Sequence, residues 1–354
     1  MSVIYSALKA FKYREQLEAL EQKKMAAPVH IRIKPTNVCN HRCWYCAYRS
    51  DNLQLGEDMS AKDSIPREKM REIVADLITM KIKAVTFSGG GEPLIYPYIE
   101  ETLTGLVEGN IKIATLTNGS FLRGKVAEIL SSGGSWVRVS MDAWDNLSLA
   151  KARGVGESEF SRIVENIENF SKLGGTCTLG VSFIINKENY AHIFDFCRIV
   201  KNAGVKHVKL SGCVVANSGQ KNNSYHNEIR TEVSSQIEKS RKLEDDKFKV
   251  VDHYHIIEEC FEKPYSTCPS MMYLSVIGAD CRVYSCQDKA YTQAGLLGSI
   301  KNRSFQKFWF SDENLKALYA INPSTHCRHH CISDRKNRAL AEYLNLDVDH
   351  QAFV

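Results

Sequence analysis

Short apolar segments typical of β-strands alternate with amphipathic segments typical of helices from about residue 28 to residue 245. This alternation is characteristic of βα units, which build a parallel sheet covered by helices. The strand candidates are 30–34, 83–88, 111–117, 136–141, 178–185 and 206–212. Two helical stripes are formed by Met70, Ile73, Val74, Leu77 and Ile78 and by Phe160, Ile163, Val164, Ile167 and Phe170. Six such units fall short of the eight in a closed barrel.

Several of the predicted strands carry polar side chains on one face. Arg138, Ser140 and Asp142 alternate with Val137, Val139 and Met141, and His207, Lys209 and Ser211 alternate with Val208 and Leu210. Thr115 and Thr117, and likewise Ser182 and Asn186, share a face of their strands. Successive side chains of a strand point to opposite faces, so one face packs on helices and the other is polar. This pattern favours a cavity for a polar ligand, and the alternative is an open sheet that faces solvent.

Composition restricts the cellular setting. The 354 residues carry a dispersed net charge of +5 and no apolar run near the ~20 residues that span a bilayer, so we expect neither a nucleic-acid nor a membrane partner. The N-terminus has no apolar core of a secretory signal. Twelve cysteines in such a chain indicate a reducing compartment, where thiols serve more often as metal ligands than in disulfides. The expected localisation is cytoplasmic.

Three cysteines in the stretch CNHRCWYC directly follow the first predicted strand, where α/β active sites are found. They are Cys39, Cys43 and Cys46, and the next cysteine along the chain is Cys177. Structural zinc sites and iron–sulfur clusters usually have four protein ligands. Three thiolates on one loop therefore fit a [4Fe–4S] cluster with one iron open to an exogenous ligand, and the alternative is a zinc loop with a distant fourth ligand.

The spacing C-x3-C-x2-C, with the aromatic Tyr45 before the last cysteine, resembles the signature of the radical S-adenosylmethionine (SAM) superfamily. The resemblance implies that SAM chelates the open iron and that one electron cleaves it to methionine and a 5′-deoxyadenosyl radical, which abstracts hydrogen from the substrate. It covers residues 28–213 and implies a partial (β/α)6 barrel.

Further motifs are similar to those of the same superfamily. The run FSGGGEPL resembles the GGE motif that holds the SAM amino group, and it contributes Gly89, Gly90, Gly91 and Glu92. Ser140, in VSMD, is implied to touch SAM. Arg153 is placed like the arginine that pairs with the SAM carboxylate, and the alternative is an arginine of a surface loop.

A second group of cysteines lies near the C-terminus, around two short predicted strands. It comprises Cys268, Cys281, Cys286, Cys327 and Cys331. Their order resembles the SPASM/twitch extension of radical SAM enzymes. Because the last segment holds only two cysteines, the single-cluster twitch form fits better than the full SPASM form, and the implied partner of the first cluster is one auxiliary [4Fe–4S] cluster.

The resemblance implies that Cys268, Cys286, Cys327 and Cys331 ligate the auxiliary cluster. Cys281 stands where the family pattern has a glycine, so we interpret it as a spare, although it could replace Cys286. A zinc site is the alternative. Four protein thiolates close a cluster, which makes electron transfer its plausible role, as in the similar 2-deoxy-scyllo-inosamine dehydrogenase.

The sequence predicts four regions. They are an N-terminal helical extension (1–28), a radical SAM (β/α)6 core (29–250), a twitch/SPASM-like domain (251–335) and a C-terminal helix and tail (336–354).

The favoured function is a radical SAM oxidoreductase that acts on a small polar substrate, such as a sugar, an aminocyclitol or a nucleotide sugar. Asp142 is the candidate base or hydroxyl ligand, and a flavodoxin or a ferredoxin the expected electron donor. An epimerase is an alternative in which Cys213 donates a hydrogen atom, although a free cysteine is more often a small buried hydrophobe. A ribosomal-peptide maturase is less favoured because only about 28 residues precede the first strand. A two-cluster electron carrier would leave the GGE-like motif unexplained.

Overall fold

The computed structural model describes residues 6–51, 53, 55–255, 261–327, 329–347, 349–350 and 353. Their strands form one ten-stranded sheet. The strands are β1 (His30–Ile33), β2 (Ala84–Phe87), β3 (Lys112–Thr117), β4 (Gly134–Ser140), β5 (Thr178–Ile185), β6 (His207–Gly212), β7 (Lys249–Asp252), β8 (Leu274–Ile277), β9 (Arg282–Tyr284) and β10 (Leu296–Ser299). All six predicted strands of the core are confirmed.

The sheet order is β10-β9-β8-β1-β2-β3-β4-β5-β6-β7. Strands β1 to β7 are parallel to their neighbours, and β8 is parallel to β1. Strand β9 runs antiparallel to both of its neighbours, β8 and β10. Strands β8 and β9 thus form the hairpin expected from the two short predicted strands near the C-terminus. The architecture is thus mixed α/β with a parallel core, as expected for a partial (β/α)6 barrel followed by a C-terminal cysteine-rich part.

Thirteen α-helices accompany this sheet in the described residues. They are α1 (Arg14–Glu21), α2 (Arg67–Thr79), α3 (Ile99–Glu108), α4 (Gly124–Gly133), α5 (Asn146–Arg153), α6 (Glu159–Lys172), α7 (Ile193–Asn202), α8 (Gly219–Asn227), α9 (Arg230–Arg241), α10 (Phe305–Trp309), α11 (Asp312–Ala320), α12 (Pro323–His326) and α13 (Asp334–Leu344). None of these helices is long and apolar enough to cross a bilayer. The predicted stripes of α2 and α6 bury most of their members in the main core, although Ile78 remains exposed.

Short sequence signals set the ends of α5. Asp145 and Ser148 form a capping box at its N-terminus, where each side chain accepts the other residue's backbone N–H. Gly154 ends the helix with φ +58°, a left-handed conformation that glycine adopts without Cβ strain. This ending places Arg153, the last residue of the helix, against the loop that follows β1.

The two faces of the sheet differ in burial, as the polar alternation predicts. Side chains on the outer face, which the helices cover, are fully buried: Ile31, Ile33, Val137, Val139, Val208 and Leu210. Side chains on the opposite, inner face are partly exposed: His30, Arg32, Arg138, Ser140, His207, Lys209 and Ser211. The inner face is therefore open to solvent and polar, unlike the packed interior of a closed barrel.

Strand β3 departs from the prediction of a shared polar face. Thr115 pairs in register with Phe87 of β2, so Thr115 and Thr117 lie on the outer face with the apolar core. The interpretation of these threonines as part of the polar face is wrong. The Thr117 hydroxyl is instead satisfied by donating to the Glu92 carboxylate at 2.6 Å.

The polar composition of residues 217–249 predicts a loop with one exposed helix, but the structure differs. These residues form two helices, α8 and α9, and α9 packs against α7 with Val233 and Ile237 buried. The Gln236 side chain also accepts the backbone N–H of Phe194 near the start of α7. The apolar positions in α9 are sparse, so its amino-acid pattern does not indicate that it packs against another helix.

The N- and C-terminal helical segments contact each other. Phe11, in a short 3₁₀ helix (Ala7–Lys12), packs edge-to-face on Tyr343 of α13 with ring centroids 5.3 Å apart. Helix α13 also contacts the 3₁₀ turn Pro269–Met272 that precedes β8. The domain boundaries remain a prediction, since β8 continues the sheet of the core through β1.

Candidate active site

The cysteine loop (residues 34–46) leaves β1 at its C-terminal end and carries Cys39, Cys43 and Cys46, all partly exposed. Its backbone is tied to the end of α5. The N–H of Arg42 donates to the Arg153 carbonyl at 2.7 Å, and the N–H of Trp44 donates to the Ala152 carbonyl. These two bonds fasten the short segment that carries the three thiols to the C-terminal end of α5, at the mouth of the barrel.

Polar side chains hold the same loop to the loop after β3. Asn40 donates to the Ser120 hydroxyl at 3.0 Å, and its carbonyl accepts the amide of Asn118. The His41 ring contacts Ser120 at 3.0 Å, and Ser120 donates to Glu159 at the start of α6. Burial lowers the pKa of His41 to about 4, so this ring is neutral near pH 7.

The Gly-rich run after β2 packs directly on the cysteine loop. A Cβ on Gly90 would overlap the Asn37 amide, and one on Gly91 would overlap the carbonyl of Val38. Only glycine therefore fits at these two positions. The Gly89 carbonyl accepts a bond from the Lys34 ammonium, which is fully buried and also contacts Tyr48.

Glu92 connects the ends of two neighbouring strands. Its carboxylate accepts the hydroxyl of Thr117 and the N–H of Asn118 at 2.7 Å, together with the N–H of Leu94 at 3.0 Å. Burial raises the pKa of Glu92, and these donors oppose that effect. The predicted SAM-binding glutamate is thus also a brace between the loops after β2 and β3.

Asp142, Tyr45 and Arg153 meet in one buried cluster. Asp142 Oδ2 accepts the Tyr45 hydroxyl at 2.8 Å and the Arg153 guanidinium at 2.7 Å, while Oδ1 accepts the N–H of Ile184 at 2.6 Å. Arg153 also contacts Tyr45 and His41. Because the carboxylate accepts three donors, it holds Tyr45 and Arg153 in place at the end of β4.

The same cluster shows that Arg153 is not a surface arginine, since only 3% of it is exposed. The Arg153 guanidinium already pairs with Asp142, so a bond from Arg153 to the SAM carboxylate would have to form beside that ion pair. The roles predicted for Asp142, Arg153 and Tyr45 remain predictions. Asp142 has φ +60°, a strained value for a non-glycine residue that Asn189 supports by donating to the Asp142 carbonyl.

Ser140 and Cys213 lie on neighbouring parts of the inner rim. Ser140 faces Ser182 of β5 with their hydroxyls 3.2 Å apart. Cys213 directly follows β6, is 4% exposed and interacts electrostatically with Asp142. Burial, with a smaller effect of Asp142, raises the pKa of Cys213 to about 12, so it remains a thiol near pH 7.

The four cysteines that we assign to the auxiliary cluster influence one another's ionisation. They form the C-terminal cysteine group: Cys268, Cys286, Cys327 and Cys331. Burial raises the pKa of Cys286, and Asp288 and the thiols of Cys268 and Cys327 raise it further. Burial likewise raises the pKa of Cys331, with Asp288, Cys286 and Cys268 adding to it. The four thiols of the group therefore lie near one another.

Cys281 lies apart from that group. It occupies the turn between β8 and β9 with φ +57°, is 5% exposed and belongs to the main apolar core. Burial raises its pKa, and the charged groups that act on it are Asp280, Lys69, Lys301 and Asp63, with no cysteine among them. This supports Cys286 rather than Cys281 as the ligand.

The surroundings of the C-terminal cysteine group fit an anionic cluster. Lys289 is 1% exposed, its ammonium has no hydrogen-bond partner among the described residues, and its charge lowers the pKa of Cys327. Asn337 donates to the Cys268 sulfur at 3.3 Å. Buried cations and donors to sulfur are the groups that stabilise thiolate-bound clusters.

No three His, Cys, Asp or Glu side chains in the described part of the chain stand close enough to hold a single metal ion. In a [4Fe–4S] cluster each thiolate binds a different iron, so its ligands surround a larger group.

Several site residues escaped the sequence analysis. His30, Arg32 and Lys34 share the inner face of β1, and their alternation with Ile31 and Ile33 is visible in HIRIK. In contrast, Tyr291 donates to Asn37 at 2.6 Å across 254 residues of chain, and no local pattern announces such a contact.

Known proteins resemble this chain in sequence and in fold. A probable GTP 3′,8-cyclase of Sulfolobus acidocaldarius is 26% identical over 182 residues, which cover 51% of this chain and 54% of the relative. The chain thus spans about half the length of that relative.

Two solved structures share its fold. Streptococcus suis SuiB bound to precursor peptide SuiA has a TM-score of 0.64 at 14% identity and covers 94% of this chain and 78% of its own. Native anSMEcpe with bound AdoMet has a TM-score of 0.58 at 16% identity and covers 90% of this chain and 96% of its own. At such identities the likeness concerns the fold alone.

The family model described as the radical SAM superfamily matches residues 33–211, which include the cysteine loop, the Gly-rich run and Arg153. This match covers just over half of the chain. The protein therefore belongs to the radical SAM superfamily, whose members use a [4Fe–4S] cluster and SAM.

Proposed function

We propose that this protein is a radical SAM oxidoreductase that removes hydrogen from a small polar substrate on the inner face of the barrel. The C-terminal cysteine group would provide the electron-accepting site. One observation carries the proposal: Lys34 interacts electrostatically with both Cys46 of the cysteine loop and Cys286 of the C-terminal cysteine group. Both groups therefore lie near the same inner-face residue.

The sheet topology supports this arrangement. Strand β1 leads into the cysteine loop, and its neighbour β8 leads through β9 to Cys286. When bound, SAM and a [4Fe–4S] cluster on the cysteine loop would supply the 5′-deoxyadenosyl radical. The chain itself would position SAM through Gly89, Gly90 and Gly91, whose backbone groups lie beside the loop, and through Tyr45 and Ser140 at the rim.

The proposed oxidation balances as the loss of two hydrogens. The carbon-bound hydrogen would leave as an atom to the 5′-deoxyadenosyl radical, which gives 5′-deoxyadenosine. The neighbouring hydroxyl would then pass its proton to a base, for which Asp142 is the candidate, and the substrate would lose a second electron. The acceptor for that electron is the reason for assigning Cys268, Cys286, Cys327 and Cys331 to an auxiliary [4Fe–4S] cluster. A flavodoxin or a ferredoxin would supply the electron that starts the cycle, and a cytoplasmic setting would keep the thiols reduced.

The test begins with anaerobically reconstituted protein. We expect about eight irons per chain and cleavage of SAM to 5′-deoxyadenosine upon reduction. Replacing Cys39, Cys43 and Cys46 by Ala should remove about half of the iron and all cleavage, whereas Cys177→Ala, outside both groups, should change neither. Cleavage that survives in the triple variant would refute the assignment.

A second candidate, epimerisation, is favoured by the placement of Cys213. The residue is buried beside Asp142 and stays protonated near pH 7, as a hydrogen-atom donor must be. In heavy water an epimerase would return deuterium to the substrate carbon and keep its formula. A dehydrogenase would release a product two hydrogens lighter, tolerate Cys213→Ala and fail when the C-terminal cysteine group is removed.

The names of related proteins suggest substrates for these assays. The sequence relative is a probable GTP 3′,8-cyclase, and the solved SuiB structure contains a precursor peptide. We therefore include a nucleotide and a peptide beside sugars and aminocyclitols in the substrate screen. A peptide product would favour the maturase alternative over the proposed one.

A further inference from the structure

The inner face of the sheet concentrates positive charge. Arg32 and Lys34 of the first strand and its extension, Arg138 of β4 and Lys209 of β6 all project to this side. Arg32, Arg138 and Lys209 are partly exposed there, whereas Lys34 is fully buried, and burial lowers the pKa of Lys34 well below its usual value. They come from strands that are distant in sequence, so the fold alone gathers them.

These cations lie near enough to repel one another. Burial lowers the pKa of Lys209 to about 8, and the charges of Arg138 and Arg32 contribute to the decrease. Burial also lowers the pKa of Arg32, and Arg138 adds to this effect. Like charges gathered at a cost in free energy mark functional sites more often than structural ones.

The neighbouring histidines do not add to this charge. Burial, with help from nearby cations, lowers the pKa of His207 and His253 to about 4 and that of His30 to about 3. All three rings are therefore neutral near pH 7, and the His30 ring already shares a hydrogen bond with the Thr86 hydroxyl at 2.8 Å. The site thus combines fixed positive charge with neutral polar groups.

The nearby acidic and thiol groups lie at one end of the site, near Lys34 and Arg32. Asp288, Cys46 and Cys286 act on Lys34, and Asp288 and Cys286 also act on Arg32. For Lys209, the charged neighbours that shift its pKa are both positive. Asp252 influences His253, but it is bound by Arg241 and His255. Lys209 therefore lies among positive groups, with Arg138 and Arg32 as the charged neighbours that act on it.

We propose that the substrate is anionic and that Arg138 and Lys209 bind its phosphate or carboxylate group on the inner face. This inference rests on the proposed function for the identity of the bound molecule as the substrate. Arg138 would offer a planar pair of donors and Lys209 a point charge, a combination suited to oxyanions. The uncharged part of the molecule would then extend toward Ser140 and Ser211 at the rim, near the cysteine loop.

The test measures binding by calorimetry in the anaerobically reconstituted enzyme with SAM and without reductant. Pyrophosphate, succinate and glucose serve as phosphate, carboxylate and uncharged probes. We expect pyrophosphate or succinate, but not glucose, to bind, and the preferred anion identifies the group. Arg138→Gln and Lys209→Gln should each weaken that binding by about tenfold or more, because each removes a charge-assisted hydrogen bond.

Two further variants separate binding from damage to the fold. Lys209→Arg keeps the charge and should retain most of the affinity, while Lys112→Gln removes an exposed lysine at the start of β3 and should have no effect. The proposal is overturned if neither anion binds the wild-type enzyme, or if Lys209→Gln binds as well as Lys209→Arg. Anion binding in an enzyme that fails to oxidise any substrate would refute the proposed function and leave only the anion-binding site on the inner face standing.

Discussion

The carboxylate of Glu92 accepts three hydrogen bonds while 3% exposed, so any loss of acceptor capacity there leaves buried donors unsatisfied. Glu92→Gln turns one acceptor oxygen into a donor that faces other donors. We expect a loss of about 1–3 kcal/mol in the free energy of unfolding and a lower melting temperature. Thermal unfolding followed by circular dichroism measures it.

The matched control is Glu101→Gln. Glu101 also binds two partners, Arg67 and Arg71, but on the surface of α2 and α3. Exposed ion pairs contribute little because water competes for both charges, so the melting temperature should barely change. Equal effects of the two substitutions would show that Glu92 is not a structural brace.

The choice between Cys281 and Cys286 gives a second single-residue prediction. Cys286→Ala should lower the iron content to about half, because the auxiliary cluster loses a ligand whose thiol lies beside Cys268 and Cys327. Cys281→Ala should leave iron near the wild-type value, because the Cys281 thiol lies in the apolar core. Iron analysis decides, and the reverse pattern would exchange the two assignments.

Individual site residues differ in how far the sequence could reveal them. A local spacing in the sequence identifies the three cysteines of the loop, Tyr45 and the glycines. This spacing can be recognised without knowing how the side chains pack. The partners of Asp142 could not be read in this way. Its bonds to Tyr45 and Arg153 depend on the folded path of two loops, which no local pattern in the sequence describes.

Contacts between elements fasten the cysteine loop to the C-terminal part of the chain. Tyr291, between β9 and β10, is fully buried and donates to Asn37, while its oxygen accepts the N–H of Ala279. Asn37 in turn donates to the Ser60 carbonyl and packs under Gly90. A change at Tyr291 should therefore reach the cysteine loop.

We expect Tyr291→Phe to destabilise the protein by about 1–3 kcal/mol, because it leaves two buried groups without their partner. SAM cleavage should also slow, since the loop that holds the cysteines loses a support. Tyr319→Phe is the control, because the Tyr319 hydroxyl is buried without a hydrogen-bond partner among the described residues. Unchanged cleavage in Tyr291→Phe would rule out this coupling between the two parts.

The elements themselves were predictable where their hydrophobic period was clear. Strands β1 to β6 alternate or are continuously apolar, and α6 repeats its apolar residues every three or four positions. Strand β7 is short and half exposed, and α9 has few apolar positions, so both depend on tertiary contacts for their burial. The pairing of β8 with β1 joins segments more than 240 residues apart and has no local cause.

Acid should destabilise the molecule through its inner-face histidines. His207 and His253 have a pKa of about 4 in the fold, through burial and nearby cations, against about 6.5 in an unfolded chain. Between pH 6.5 and pH 4 the unfolded chain therefore binds protons that the folded chain does not, and stability falls as the pH falls.

Between pH 7 and pH 5 the loss should be at most about 2 kcal/mol for each histidine and about 4 kcal/mol for the pair, because both rings are partly exposed. Thermal unfolding of iron-free protein at the two pH values measures it without interference from cluster loss. A double variant, His207→Gln with His253→Gln, should show a smaller decrease. If the decrease is unchanged in the double variant, the acid sensitivity arises elsewhere.

The pairing of β8 with β1 also limits how this chain can diverge. A slip of one residue between the two strands would turn Val276 to the helix-covered side and Ile277 to the inner side, and would carry the hairpin and Cys286 with them. The C-terminal part can therefore be exchanged among related enzymes only if the alignment of β8 with β1 is kept. A chimera joined with a shift of one residue should keep every cysteine but lose its second iron site.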